Sequence, residues 1–197
     1  MRIFLAVAAL AAMIGIAQPA EARDWTVYGG LEAGYGWSES DVNVGAVNPS
    51  PEPDGFTGGA FAGVETHVSG PWSLGVEADW KYADGDDTSL GYKLEENWTA
   101  SVRARASYEV TPTTDVYATV GWSWADVDAT AGLSDSSTLD GWTAGIGVQH
   151  DYGDHLFSRV EYRYTDYDDS SFATGPASTA DLQSNEVLVG VGWKFGS

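Results

Sequence analysis

Apolar and polar residues alternate with a period of two along much of the chain. Between Trp98 and Val110, one parity holds tryptophan, alanine, valine and tyrosine, whereas the other holds threonine, serine, arginine and glutamate. The same split recurs over residues 72–82 and 186–195. A period of two is typical of β-strands, whose successive side chains point to opposite faces. These stretches therefore predict strands with one apolar face and one charged face.

The apolar face is expected to point outward. It carries most of the tryptophans of the chain, namely Trp72, Trp80, Trp98, Trp122, Trp124, Trp142 and Trp193. A small closed barrel has an interior just wide enough for ordinary side chains, so this many indoles would not fit inside it. An apolar, aromatic exterior is tolerated in lipid. The pattern is typical of a transmembrane β-barrel.

The alternating segments are separated by connections that are short and long in turn. The segments are approximately Trp25–Trp37, Gly55–His67, Trp72–Ala83, Asn97–Val110, Asp115–Ala125, Gly141–Tyr152, His155–Thr165 and Glu186–Phe195. Short turns are expected at 68–71, 111–114 and 153–154, and long polar loops around 38–54, 84–96, 126–140 and 166–185. Short periplasmic turns and long extracellular loops are typical of outer-membrane barrels. The predicted fold is all-β, an eight-stranded antiparallel up-and-down transmembrane β-barrel.

Aromatic residues gather near both ends of the predicted strands, as expected for the two headgroup layers. This aromatic girdle consists of Trp25, Trp72, Trp80, Trp98, Trp122, Trp142, Tyr162, Trp193 and Phe195.

Residues 1–22 predict a secretory signal peptide. A basic start and a short apolar run end in Ala20-Glu21-Ala22, a small-x-small site, so cleavage is expected between Ala22 and Arg23. The outer-membrane barrel domain is then predicted over residues 23–197.

Two segments carry a family resemblance. The first is Arg159-Val-Glu-Tyr-Arg-Tyr-Thr-Asp-Tyr167 together with the preceding residues 145–148, and the second is the final predicted strand, 187–195. Both resemble segments of the small outer-membrane β-barrel (porin-family) proteins. This family includes opacity-type proteins and the OmpA-like transmembrane domain. The resemblance implies the cell outer membrane of a Gram-negative bacterium as the location. It also implies recognition of the last strand by the barrel-assembly machinery, although Gly196 and Ser197 follow the aromatic Phe195.

Charge and cysteine content narrow the functional classes. The formal net charge of −20 argues against nucleic-acid binding, which requires a basic surface. The chain has no cysteine, so disulfides cannot contribute to its stability.

The residues that alternate with the apolar face are expected to point into the barrel, and they predict a charge network in the lumen. Its members are Glu32, Glu77, Asp79, Lys81, Arg103, Arg105, Glu109, Arg159, Glu161, Arg163, Glu186 and Lys194, with Glu65 beside them. One interpretation is an ion pathway lined by charge. The favoured one is a salt-bridge network that fills the lumen, because eight strands leave no water-filled channel and buried charges must be paired.

The predicted long loops are acidic. Their carboxylates are Glu39, Asp41, Glu52, Asp54, Asp84, Asp86, Asp87, Glu95, Glu96, Asp126, Asp128, Asp135, Asp140, Asp166, Asp168, Asp169 and Asp181. They suit an extracellular ligand, or divalent cations that bridge to lipopolysaccharide. No run has the spacing of a calcium loop, and the alternative is a solvated acidic rim.

Catalysis is the least favoured class. Some small outer-membrane barrels hydrolyse lipid A with histidine and serine that lie within hydrogen-bond reach, but His67, His150 and His155 all lie near the predicted periplasmic ends of the strands. We therefore expect a structural, envelope-integrity or surface-interaction protein, with outer-membrane lipid and lipopolysaccharide as partners and no cofactor. The alternative is a narrow porin-like channel for small solutes or ions, and a lipid-modifying enzyme is less favoured.

Overall fold

The computed structural model describes residues 25–42, 54–84, 86–89, 92–130, 134–167 and 180–195. These ranges form nine strands: β1 (Trp25–Val42), β2 (Asp54–Ser69), β3 (Trp72–Asp84), β4 (Asp86–Ser89), β5 (Tyr92–Thr111), β6 (Thr114–Thr130), β7 (Ser134–Tyr152), β8 (Leu156–Tyr167) and β9 (Ala180–Phe195). The predicted signal peptide with its predicted cleavage site, and the loop carboxylates Glu52, Asp168 and Asp169, lie outside the described residues.

The strands close into one antiparallel barrel. Except for β3 and β4, strands that are consecutive in the chain pair with each other. In addition, β9 pairs with β1, and β3 and the short β4 both pair with β5. Because β3 and β4 lie one after the other along the same edge of β5, together they occupy one strand position in the barrel wall. The barrel therefore has eight strand positions, and the predicted up-and-down architecture is confirmed.

The pairing register places charged residues opposite one another on the inner face. Glu77 on β3 is the direct partner of Arg103 on β5, whereas Trp80, of opposite parity, is the partner of Ala100. Glu77 and Arg103 are fully buried, and Trp80 is 53% exposed. Outward side chains are thus exposed on the outer surface of the barrel, and inward ones are enclosed. All members of the predicted aromatic girdle except Trp98 are exposed on the outer surface.

Short turns join the strands at one end of the barrel, at the positions that the sequence predicts. Gly70 and Gly153 have φ angles of 56° and 90°, in the left-handed region that favours glycine. The third turn, at Pro112 and Thr113, connects β5 to β6. No helix with the length and apolar character needed to span a bilayer occurs in the described part of the chain.

The strands are longer than the sequence pattern predicts at the end opposite the short turns. Residues 126–130 of β6 still pair with residues 134–138 of β7, where the sequence predicts a polar loop. β1 likewise continues to Val42 against β9. Ladder hydrogen bonds need no apolar side chains, so the pairing persists after the alternation ends.

Candidate functional site

The lumen contains a cluster of ionised side chains contributed mainly by three strands. β3 supplies Glu77, Asp79 and Lys81, β5 supplies two arginines, and β8 supplies a run of arginine, glutamate and arginine. The inner faces of β1, β2, β7 and β9 are rich in glycine, which leaves room for these long side chains. The cluster therefore occupies the space that glycine leaves on the other walls.

Glu77 lies at the centre of the cluster and accepts hydrogen bonds from three arginines. Its Oε1 is 2.6 Å from Arg103 Nη2, and its Oε2 is 2.7 Å from Arg159 Nη1 and 3.2 Å from Arg105 Nη1. The Tyr28 hydroxyl donates a further bond to Oε2 at 3.0 Å. One carboxylate thus links β1, β3, β5 and β8 across the interior.

A second group of contacts lies beside Glu77. Arg103 also pairs with Glu161, and Arg163 lies 2.7 Å from Asp79 Oδ1 and 2.9 Å from Glu161 Oε1. Arg159 Nη2 donates to Glu32 Oε2 at 2.6 Å. Each arginine therefore contacts at least two acidic side chains, which is the arrangement that offsets the desolvation of buried charge.

The charges of the buried cluster balance. Lys81 pairs with Glu186, in addition to the ion pairs described above. Five cationic and five anionic side chains are each at most 9% exposed, and they are Lys81, Arg103, Arg105, Arg159, Arg163, Glu32, Glu77, Asp79, Glu161 and Glu186. We call these ten residues the lumen cluster. Its formal charge is zero, although the whole chain is strongly acidic.

Two predicted members of the network lie outside the lumen cluster. Glu109 is exposed near the turn that follows β5, so the prediction that it lies inside the barrel is wrong. Because β5 ends at this turn, a side chain of the inward parity is no longer enclosed there. Lys194 lies at the mouth formed by the short turns and binds Asp151 at 2.6 Å, with both side chains 18% exposed. Glu65 lies 3.8 Å from Arg105, at the edge of the cluster.

Aromatic rings also point into the lumen, a feature that the sequence analysis missed. Tyr28, Phe61, Tyr117 and Phe157 are each at most 4% exposed. Each ring lies opposite a glycine on the neighbouring strand, in the pairs Tyr28–Gly63, Phe61–Gly30, Tyr117–Gly147 and Phe157–Gly192. The sequence did indicate this inward position, because each of these four rings lies on the same face of its strand as the predicted lumen residues.

The inward rings support the arginines of the lumen cluster. The guanidinium of Arg159 lies 3.5 Å from the ring centroid of Phe61, and that of Arg105 lies 3.9 Å from the centroid of Tyr117. Tyr28, Phe61 and Phe157 form one buried apolar group. Cation–π contact of this kind strengthens in a desolvated site. The rings therefore pack against the cluster and fill the lumen on the side of the short turns.

The glycines under the rings are expected to be required for this packing. A Cβ at Gly192 would overlap the fully buried ring of Phe157, whereas a Cβ at the outward Gly58 has only the carbonyl of Glu32 nearby, at 3.8 Å. We predict that Gly192→Ala lowers the free energy of unfolding by about 1–3 kcal/mol, the usual effect of overpacking. Urea titration of the lipid-embedded protein measures it, with Gly58→Ala as the control. Equal stability of the two variants would contradict this packing.

One histidine and one serine lie side by side in the barrel wall, but their hydrogen bonds go to other residues. His150 on β7 is the direct partner of Ser158 on β8, a proximity that the sequence spacing hides. However, the Ser158 hydroxyl bonds to Tyr152 and His150 Nδ1 bonds to Thr114, each within 3.1 Å. An activated nucleophile needs a base that is itself oriented by a third group, and no carboxylate contacts His150 in these bonds.

No group of three or more histidine, aspartate or glutamate side chains is placed to hold a metal ion, within the part of the chain that the structure describes.

Comparison with known proteins identifies the family. The outer membrane protein beta-barrel domain matches residues 6–195. The chain belongs to this family. It is an outer-membrane β-barrel protein.

Individual relatives agree with this membership. The 25 kDa outer-membrane immunogenic protein of Brucella abortus is 33% identical over 178 residues, which cover 85% of this chain and 78% of the relative. The 22 kDa outer membrane protein of Rhizobium leguminosarum is 32% identical, covering 85% and 79%. The crystal structure of Neisserial surface protein A shares the fold of this outer-membrane β-barrel protein, with a TM-score of 0.57, 16% identity and coverage of 89% and 100%.

Proposed function

We propose that this outer-membrane barrel is a structural, envelope-integrity protein whose lumen is closed by the lumen cluster and whose long loops provide a surface for interaction. The observation that carries the proposal is the balance of buried positive and negative charge inside the described part of the barrel. Five cations and five anions are buried together, and the central carboxylate alone contacts three arginines.

The geometry of the cluster supports a closed lumen. A selective pore presents one sign of charge, or a ring of dipoles, to ions that must enter and leave. Here the two signs alternate across the interior at hydrogen-bond distance, and the rings of Tyr28, Phe61 and Phe157 fill the space beside them. An ion would have to break several charge-assisted bonds to pass. The arrangement favours a rigid plug over a channel.

The partners proposed for this role are those of an embedded barrel. The exposed apolar face fits outer-membrane lipid and lipopolysaccharide, and the terminal strand β9 closes the barrel against β1, which suits assembly through the last strand. An extracellular ligand would meet the acidic loops. A non-enzymatic role is favoured because the hydroxyl and imidazole groups of Ser158 and His150 are engaged elsewhere.

Planar-bilayer recording tests whether the lumen is closed. We expect the purified protein in molar KCl to give no conductance steps above those of the detergent control, while a general-diffusion porin recorded in parallel gives large steps. In cells, a deletion strain is expected to leak periplasmic enzymes, and wild-type protein should reduce that leakage. Sustained, uniform conductance steps would overturn the closed lumen and favour the narrow channel.

A further inference from the structure

The barrel closes where its first and last strands meet. β1 pairs with β9 from Val27 opposite Phe195 to Val42 opposite Ala180, and we call this strand pair the seam. Every other neighbouring pair of strand positions in the wall is joined by the chain itself, whereas β1 begins and β9 ends the order of strands. The seam therefore depends on the hydrogen bonds of its ladder and on contacts between side chains.

One buried ion pair crosses the seam from the side of β8. Arg159 on β8, Gly190 on β9 and Glu32 on β1 lie in one row, because Gly190 is the direct partner of both charged residues. A Cβ at Gly190 would lie 3.1 Å from Arg159 Cγ, so the arginine side chain runs over this glycine. Its Nη2 donates to Glu32 Oε2 at 2.6 Å. Arg159 therefore reaches over β9 and binds β1.

A second buried ion pair crosses the seam from the other side. Lys81 on β3 pairs with Glu186 on β9, although β2 and β1 lie between these strands in the wall. The direct partner of Glu186 on β1 is Gly36, where a Cβ would lie 3.3 Å from Glu186 Cγ. The direct partner of Lys81 on β2 is Gly59. Glycine at both positions adds no side chain between the lysine and the glutamate, so the pair spans the seam.

The two ion pairs are arranged so that they resist opening of the seam. Glu32 and Glu186 each lie on a seam strand, and the cation that each carboxylate binds belongs to the opposite side of the seam. Moving β1 away from β9 would therefore separate both pairs at once. All four side chains are at most 9% exposed, so the separation would leave buried charges without their partners, which is costly.

Arg159 is the main partner of Glu32. The other arginine near this carboxylate, Arg163, lies 3.8 Å from Oε1, which is beyond hydrogen-bond distance. Oε1 accepts no hydrogen bond from the part of the chain that the structure describes. We propose that the Arg159–Glu32 and Lys81–Glu186 pairs form a clamp that keeps the seam closed. This role goes beyond closing the lumen to ions, because it concerns the opening of one strand pair and not conductance.

Amide hydrogen exchange of the protein in lipid nanodiscs, followed by NMR, tests the clamp. We expect Glu32→Gln to speed the exchange of amides that bond across the seam roughly tenfold, because the seam then opens locally before the rest of the barrel. Amides that bond between β5 and β6, on the far side of the barrel, should change by about twofold or less. The control is Arg103→Gln, since Arg103 binds Glu77 and Glu161, which lie outside the seam strands. It should not speed exchange at the seam more than elsewhere.

A disulfide across the seam provides an independent test. The chain has no cysteine, and Ala33 and Val189 are direct partners on the outward parity of β1 and β9. Oxidised Ala33→Cys/Val189→Cys should cancel the effect of Glu32→Gln on exchange at the seam. If Glu32→Gln alone does not fold, the same disulfide should restore its folded band on an unheated gel. A bridge between β5 and β6, Ala106→Cys/Ala118→Cys, should do neither. Unchanged exchange at the seam in Glu32→Gln, equal acceleration at both strand pairs, or equal rescue by both disulfides would overturn the clamp.

Discussion

Glu77→Gln is expected to lower the free energy of unfolding by about 3–5 kcal/mol, the usual cost of leaving buried charge without its partner. Glutamine keeps the shape of the side chain but removes the negative charge that faces Arg103, Arg105 and Arg159. The buried cations would then outnumber the buried anions by one. The loss should appear as an earlier urea midpoint in tryptophan fluorescence, and as a weaker folded band on an unheated gel.

The control for this variant is Glu109→Gln. Glu109 belongs to the strand that carries Arg103 and Arg105 but is exposed, so the same chemical change should alter stability by about 0.5 kcal/mol or less. Arg103→Gln should also be destabilising, because it leaves Glu77 and Glu161 without that guanidinium. The Glu77→Gln/Arg103→Gln double variant should recover part of the summed loss. Strictly additive losses would show that the two side chains do not act as a pair.

The architecture was predictable from the sequence because the environment imposes one rule on every strand. Lipid outside and a narrow lumen inside separate apolar from polar residues at a period of two, and the same rule identifies both β3 and β9. The inward position of Arg103 and Glu77 follows from parity alone. Beyond residue 125 on β6 the sequence places Asp126 and Asp128 on the parity that holds Trp122 and Trp124, so the rule ceases to apply and the end of the strand could not be predicted.

Two features of the lumen could not be predicted from parity. The choice of partner across the interior depends on strand tilt and closure, so the contact of Arg159 with Glu77, on strands that are not neighbours, has no signal in the sequence. The inward rings were missed because the size argument considered only the tryptophans of the apolar face. A ring such as Phe157 fits inside because it lies over Gly192, a pairing that depends on register.

Val102→Arg is expected to destabilise the barrel by about 2–4 kcal/mol, as an arginine at the bilayer midplane does on a lipid-facing position. Val102 is exposed, and lies midway along β5 between the outward rings of Trp98 and Tyr108. Its direct partners are Ala78 on β3 and Trp122 on β6, which offer no carboxylate. The guanidinium would therefore have to reach a headgroup layer or draw water into the hydrocarbon. Urea titration in vesicles of fixed thickness measures the change.

The position of the arginine along the strand provides the matched control. Val110 lies on the same strand and outward parity but at the end beside the short turn, where it is 55% exposed. Val110→Arg should therefore cost about 0–1 kcal/mol, because the charge starts near the headgroups. Val102→Leu should be tolerated, since the lipid face accepts either apolar side chain. If Val102→Arg were as stable as Val102→Leu, residue 102 would not face hydrocarbon, and the inward and outward faces of β5 would have to be exchanged.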